Sequence, residues 1–86
     1  MKKEMQKMLT RKLTKEEFFE KAKNLNAKVT TLEDGNLSMS FEYDYVDFVF
    51  SSKKNEGDNL SNFGLFMNSD SEALFYNVLK FLTYKN

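Results

Sequence analysis

Between residues 37 and 50 the apolar side chains first occupy odd positions, Leu37, Met39, Phe41 and Tyr43. They then occupy even positions, Val46, Phe48 and Phe50. Alternation with a period of two marks a half-buried strand, and a change of parity marks a turn or bulge. The pattern predicts a hairpin with a two-residue loop at Tyr43-Asp44. That loop pairs Glu42 with Tyr45, Phe41 with Val46, Met39 with Phe48 and Leu37 with Phe50. A longer loop over 42–45 preserves the same pairing, and one long strand bulged near Asp44 is the rival arrangement. In the hairpin all the large apolar residues share one face.

Upstream, Thr14-Lys15-Glu16-Glu17 forms a capping box, Thr14 as N-cap and Glu17 three residues later. It predicts a helix over 15–25 whose stripe is Phe18, Phe19, Ala22 and Leu25. A strand over 27–32 follows. A three-residue loop, Glu33-Asp34-Gly35, places Gly35 at the left-handed position and pairs Thr31 with Leu37, Val29 with Met39 and Ala27 with Phe41. A two-residue loop at Asp34-Gly35 would turn Lys28 and Thr30 onto the apolar face, so the pattern selects the longer one.

Downstream, the polar run 51–59, SSKKNEGDN, is expected to be a solvated loop. Residues 60–67 form a weaker strand, with Phe63, Leu65 and Met67 on one face and Gly64 and Phe66 on the other. Ser69-Asp70-Ser71-Glu72 resembles a second capping box, Ser69 with Glu72. It opens a helix over 70–84 with an apolar face of Leu74, Phe75, Val78, Phe81 and Leu82.

The expected fold class is therefore α+β, in the order α-β-β-β-(β)-α: an antiparallel meander sheet with the two terminal helices packed on one face. The order α-β-β-β-α is also that of double-stranded-RNA-binding domains. Where those carry a basic start to the second helix, this chain has the acidic Ser69-Asp70-Ser71-Glu72, which repels phosphate.

Composition narrows the chemistry. The chain has 86 residues, enough for one core, and 41% are hydrophobic, nine of them Phe. There is no Cys and no His. Disulfides, thiol catalysis and the commonest metal ligand are thus excluded, no cofactor or metal is expected, and the chain is not expected to be an enzyme. No apolar run approaches the roughly 20 residues of a membrane span. The first lysines precede no apolar stretch, so no secretory signal is expected and a cytoplasmic location is expected.

Charge is unevenly placed although the net charge is zero. Residues 1–28 carry nine Lys/Arg and four Asp/Glu, net +5, and residues 29–86 carry the opposite, net −5. The chain is accordingly divided into a basic amphipathic arm, 1–12, flexible or helical, and a single α+β domain, 13–86. Met5, Met8, Leu9 and Leu13 follow helical spacing in and beside the arm.

The outer sheet face is expected to carry Leu32, Ser38, Ser40, Glu42, Tyr45, Asp47, Val49 and Phe66. Aromatic and apolar groups beside carboxylates suit a protein interface, and the candidate partner-binding residues are Glu42, Tyr43, Asp44, Tyr45, Asp47, Val49 and Phe66. The expected function is a small non-enzymatic protein that binds another protein and covers its site. Inhibitors carried by phages and mobile elements, anti-defence proteins among them, and immunity-type inhibitors have this size and style. The alternative is nucleic-acid binding through the basic patch Lys2, Lys3, Lys7, Arg11 and Lys12, extended by Lys15, Lys21, Lys23 and Lys28. A further reading is a subunit of a larger assembly, a homo-oligomer included, joined through an open sheet edge.

Overall fold

The computed structural model describes residues 4–84. Its elements are β1 (Met5–Thr14), α1 (Lys15–Asn24), β2 (Lys28–Thr31), β3 (Leu37–Tyr43), β4 (Val46–Glu56), β5 (Asn59–Met67) and α2 (Glu72–Thr83). The class is α+β, with one five-stranded antiparallel sheet in the order β1-β5-β4-β3-β2. β2 to β5 form a meander. The first strand departs from it by pairing with the last, so the sheet is not the simple meander expected, and the element order is β-α-β-β-β-β-α.

From residue 5 onward the segment expected as a basic arm is that edge strand and is not helical. Met5, Leu9 and Leu13 are four residues apart, and four is a multiple of two as well as nearly one helical turn. The spacing fits either element. Pairing with β5 decides for the strand, with Met5 opposite Met67, Leu9 opposite Phe63 and Leu13 opposite Leu60. Between Leu9 and Lys12 β1 holds one residue more than β5, a bulge that faces Asn62 at φ 56°.

The β2–β3 register is the one the pattern selects, Thr31 with Leu37 and Val29 with Met39. Gly35 has φ 79°, and an added Cβ would meet the Asn55 Nδ2 at 2.5 Å, so both backbone and space require glycine. Ala27 lies outside β2.

The central hairpin forms, but two residues out of the expected register. Met39 pairs with Phe50, Phe41 with Phe48 and Tyr43 with Val46. Its loop is Asp44-Tyr45, with φ 53° and 62°, as a type I′ turn requires. A shift of two leaves every side chain on its original face, so the hydrophobic pattern cannot detect it.

The polar run is also strand, not loop. β4 continues to Glu56 and reverses at Gly57-Asp58. Gly57 supplies φ 61° there. Lys53, Lys54 and Glu56 face water, while the buried Ser52 is hydrogen-bonded to Leu37. The ladder needs only backbone groups, so polar composition does not forbid it. The Asp58 carbonyl in turn accepts from the Lys15 amide at 2.8 Å, which satisfies a free donor at the start of α1.

Thr14 caps α1 as expected. Its hydroxyl accepts from the Glu17 amide at 3.0 Å, and its own amide donates to Glu17 Oε1 at 2.9 Å. For α2 the cap is Ser71, whose Oγ accepts from the Leu74 amide, so the helix opens two residues later than the predicted box.

One core lies between the sheet's inner face and both helices. Phe18 of α1 stacks on Phe50 and Phe63, at centroid separations of 6.0 and 6.2 Å, and α2 contributes Phe75, Val78, Leu79 and Leu82. Leu13, Leu60 and Met67 complete it. Phe19 and Phe81, expected inside, are 49% and 42% exposed at the helix margins.

Candidate functional site

With both helices on one side, the other side of the sheet faces water. Its residues follow from the ladder in rows that cross the strands. One row joins Glu42 and Asp47, which stand directly opposite each other and are both exposed. The next joins Lys28, Ser40, Val49, Phe66 and Gln6. A third joins Thr30, Ser38, Ser51, Gly64 and Met8, with the Ser38 and Ser51 hydroxyls 2.7 Å apart. Lys53 follows on β4.

Four of the seven candidate residues, Glu42, Asp47, Val49 and Phe66, thus form one contiguous area of this face. Asp44 and Tyr45 continue it as the turn at its end, and Tyr45 is 95% exposed. Tyr43 does not join them. It pairs with Val46 and continues the inner-facing series of Met39 and Phe41, at the sheet's far end.

Three further residues complete the surface without having been singled out. Met8 is 55% exposed. It crosses the notch left by Gly64: a Cβ on that glycine would lie 3.2 Å from the Met8 Sδ and 3.5 Å from the Lys53 Cε. A glycine in the middle of a strand was the signal in the sequence that could have found them, because such residues mark close approach.

The basic candidates are dispersed. Lys2 and Lys3 lie outside the described residues. Lys7 pairs with the inner-facing Leu65, and its ammonium sits 5.3 Å from the centroid of the Tyr76 ring of α2. Lys12 precedes the buried Leu13 and pairs with Ser61, on the outer side. Arg11 falls in the bulge. Near Lys12, Lys54 and Glu56 form an exposed ion pair at 2.7 Å. It raises the Lys54 pKa and lowers that of Glu56, first through their hydrogen bond and then through charge, with Lys12 adding to the lowering.

On the opposite side, α1 and α2 flank an open groove of about 640 Å³, lined by Glu17, Glu20, Lys21, Lys80, Phe81 and Tyr84 among others. Lys21 bridges the helices, donating to the Phe81 carbonyl at 2.9 Å and the Tyr84 carbonyl at 2.8 Å. A cation is favoured at these terminal carbonyls. Burial lowers the Lys21 pKa, with Glu17 and Glu20 opposing it. Within this groove Lys21 is already engaged with α2.

Among the described residues no three His, Cys, Asp or Glu gather as a metal site, and no helix is long and apolar enough to cross a membrane. No protein-family model, curated protein or solved structure matches the chain.

Proposed function

We propose that this chain is a non-enzymatic binding protein that presents the outer sheet face and the Asp44-Tyr45 turn to a basic surface on another protein. The observation that carries this reading is the opposition of Glu42 and Asp47 beside a turn that holds Tyr45 in the left-handed region. Like charges directly across a ladder destabilise a sheet, and among the described residues neither carboxylate has an ion-pair partner. A tyrosine at φ 62° costs roughly 1–2 kcal/mol more than glycine would, and 95% exposure returns no burial. Folding alone disfavours all three residues. A partner that supplies cations and covers the ring recovers both losses.

Inhibition by covering a partner's site is the action that suits a chain of this size, as in the inhibitors of phages and mobile elements, anti-defence proteins included. The split of Lys7 from Lys12 across the edge strand works against the nucleic-acid alternative, which needs cations on one surface.

The test is site-specific photocrosslinking. A benzophenone amino acid replaces Tyr45 in one variant and Tyr76, on α2, in another. The reading expects a defined protein adduct from position 45 and none from position 76. Adducts confined to position 76, or none from either, overturn it.

A further inference from the structure

We propose that the outer sheet face, when no other protein covers it, pairs with the same face of a second copy of this chain. The inference rests on the reading of that face as an interface, and goes beyond it.

Charge is ordered along the strands of this face. Glu42 and Asp47 lie at one end of the face. Lys53 and Lys12, with Lys54 paired to Glu56 between them, lie towards the other, beyond the apolar centre of Val49, Phe66 and Met8. Stacking two such faces about a two-fold axis that runs across the strands reverses strand direction and keeps each strand over its own copy. The acidic end then covers the basic end of the other protomer. The alternative axis, along the strands, sets acid on acid and base on base.

Placed between the Val49–Phe66 row and the Ser51–Gly64 row, the crossing axis matches positions in detail. On β4, Asp47 lies opposite Lys53 of the second copy, and Val49 opposite its Ser51. On β5, Phe66 lies opposite Gly64 of the second copy. The ring on one face meets the position on the other that lacks a side chain, twice by symmetry. Isologous contacts have this form, one patch complementary to itself. Gly64 is buried beneath Met8 and Lys53 of its own chain, so the close approach it permits within one protomer is theirs. Both side chains are flexible, and the incoming ring takes the Gly64 position by displacing them.

Size sets the strength. Five strands span about 19 Å, and the six steps from Asp47 to Lys53 about 20 Å. The face is therefore roughly 400 Å², below the approximately 800 Å² per partner of a standard stable interface. The expected dimer is weak, in equilibrium with monomer, and weaker in high salt because its charges lie at the rim.

Sedimentation of the full chain from about 1 μM to about 1 mM, the span that brackets micromolar to millimolar dissociation constants, reads this directly. Two charge reversals make it specific. Asp47→Lys alone leaves a lysine facing a lysine at both symmetric contacts, and Lys53→Asp alone leaves an aspartate facing an aspartate. Each variant is expected to associate at least ten-fold more weakly than the parent, with its melting transition as the check on folding. An equimolar mixture of the two is expected to regain association between unlike chains. One of its two symmetric contacts then joins the two introduced side chains and the other joins the two native ones, and both are attractive. A parent that stays monomeric throughout overturns the proposal, as does a dimer indifferent to both reversals or unrestored by mixing. If the parent is monomeric while position 45 still crosslinks another protein, only this inference falls. If position 45 gives no adduct as well, the interface reading falls with it.

Discussion

The Ser52 hydroxyl and the Leu37 backbone form a closed pair inside the protein. Ser52 Oγ accepts from the Leu37 amide at 3.0 Å and donates to the Leu37 carbonyl at 3.3 Å. The side chain on β4 thereby does for the start of β3 what a ladder partner would do. Ser52 is the one fully buried polar side chain among the described residues, and it is satisfied by this contact.

Ser52→Ala removes both bonds and leaves the amide and carbonyl of Leu37 buried. A buried group left without a partner costs roughly 1–3 kcal/mol. Urea unfolding is expected to show a loss of that size with an unchanged m-value. A variant as stable as the parent would show that water reaches Leu37 and that the β3–β4 junction is open.

Tyr45 offers a separation of stability from binding. Tyr45→Gly relieves the left-handed strain at φ 62° and creates an Asp-Gly turn of the kind type I′ hairpins prefer. The variant is expected to be more stable by roughly 1 kcal/mol, the difference in left-handed cost between tyrosine and glycine. It is expected to bind the partner less well. Thermal melts and a binding titration check the two halves, and a less stable variant would contradict the turn geometry.

Lys21 carries a pH signature. Burial lowers its pKa in the folded chain below the ordinary value of 10.5, so the unfolded chain binds more protons between the two values. The stability contribution from this group therefore rises with pH through that window, and is flat below the folded value. The parent is expected to gain stability relative to Lys21→Met as pH approaches 10.5. Paired urea titrations at alkaline pH measure the difference, and a relative loss would show that the terminal carbonyls of α2 hold the ammonium more strongly than burial penalises it.

Parts of this architecture were legible and others were not, for identifiable reasons. The β2–β3 register could be read because Gly35 marked the left-handed position and only one loop length kept Val29 beside Met39. The β3–β4 register could not, because Asp44-Tyr45 lacks the glycine that signals a primed turn and a shift of two keeps Met39, Phe41, Phe48 and Phe50 on one face. Phe19 follows Phe18 in the stripe of α1, yet the helix is ten residues long and only Phe18 and Ala22 are buried from it. The candidate surface was legible as a face, since Glu42, Asp47, Val49 and Phe66 share its parity. Met8 was not, because its strand was read as an arm, flexible or helical.

By itself the sequence determined the class of the fold, the two helices with the Thr14 cap, and which side of each central strand turns inward. Periodicity carries that information, because alternation assigns a face and capping residues mark a start. Only the tertiary structure decided that Met5–Thr14 closes the sheet beside β5, that the polar run is strand, and that Glu42 meets Asp47 across the ladder. Ladder hydrogen bonds join backbone groups that every non-proline residue possesses, so neighbour and register are settled by how the whole core closes.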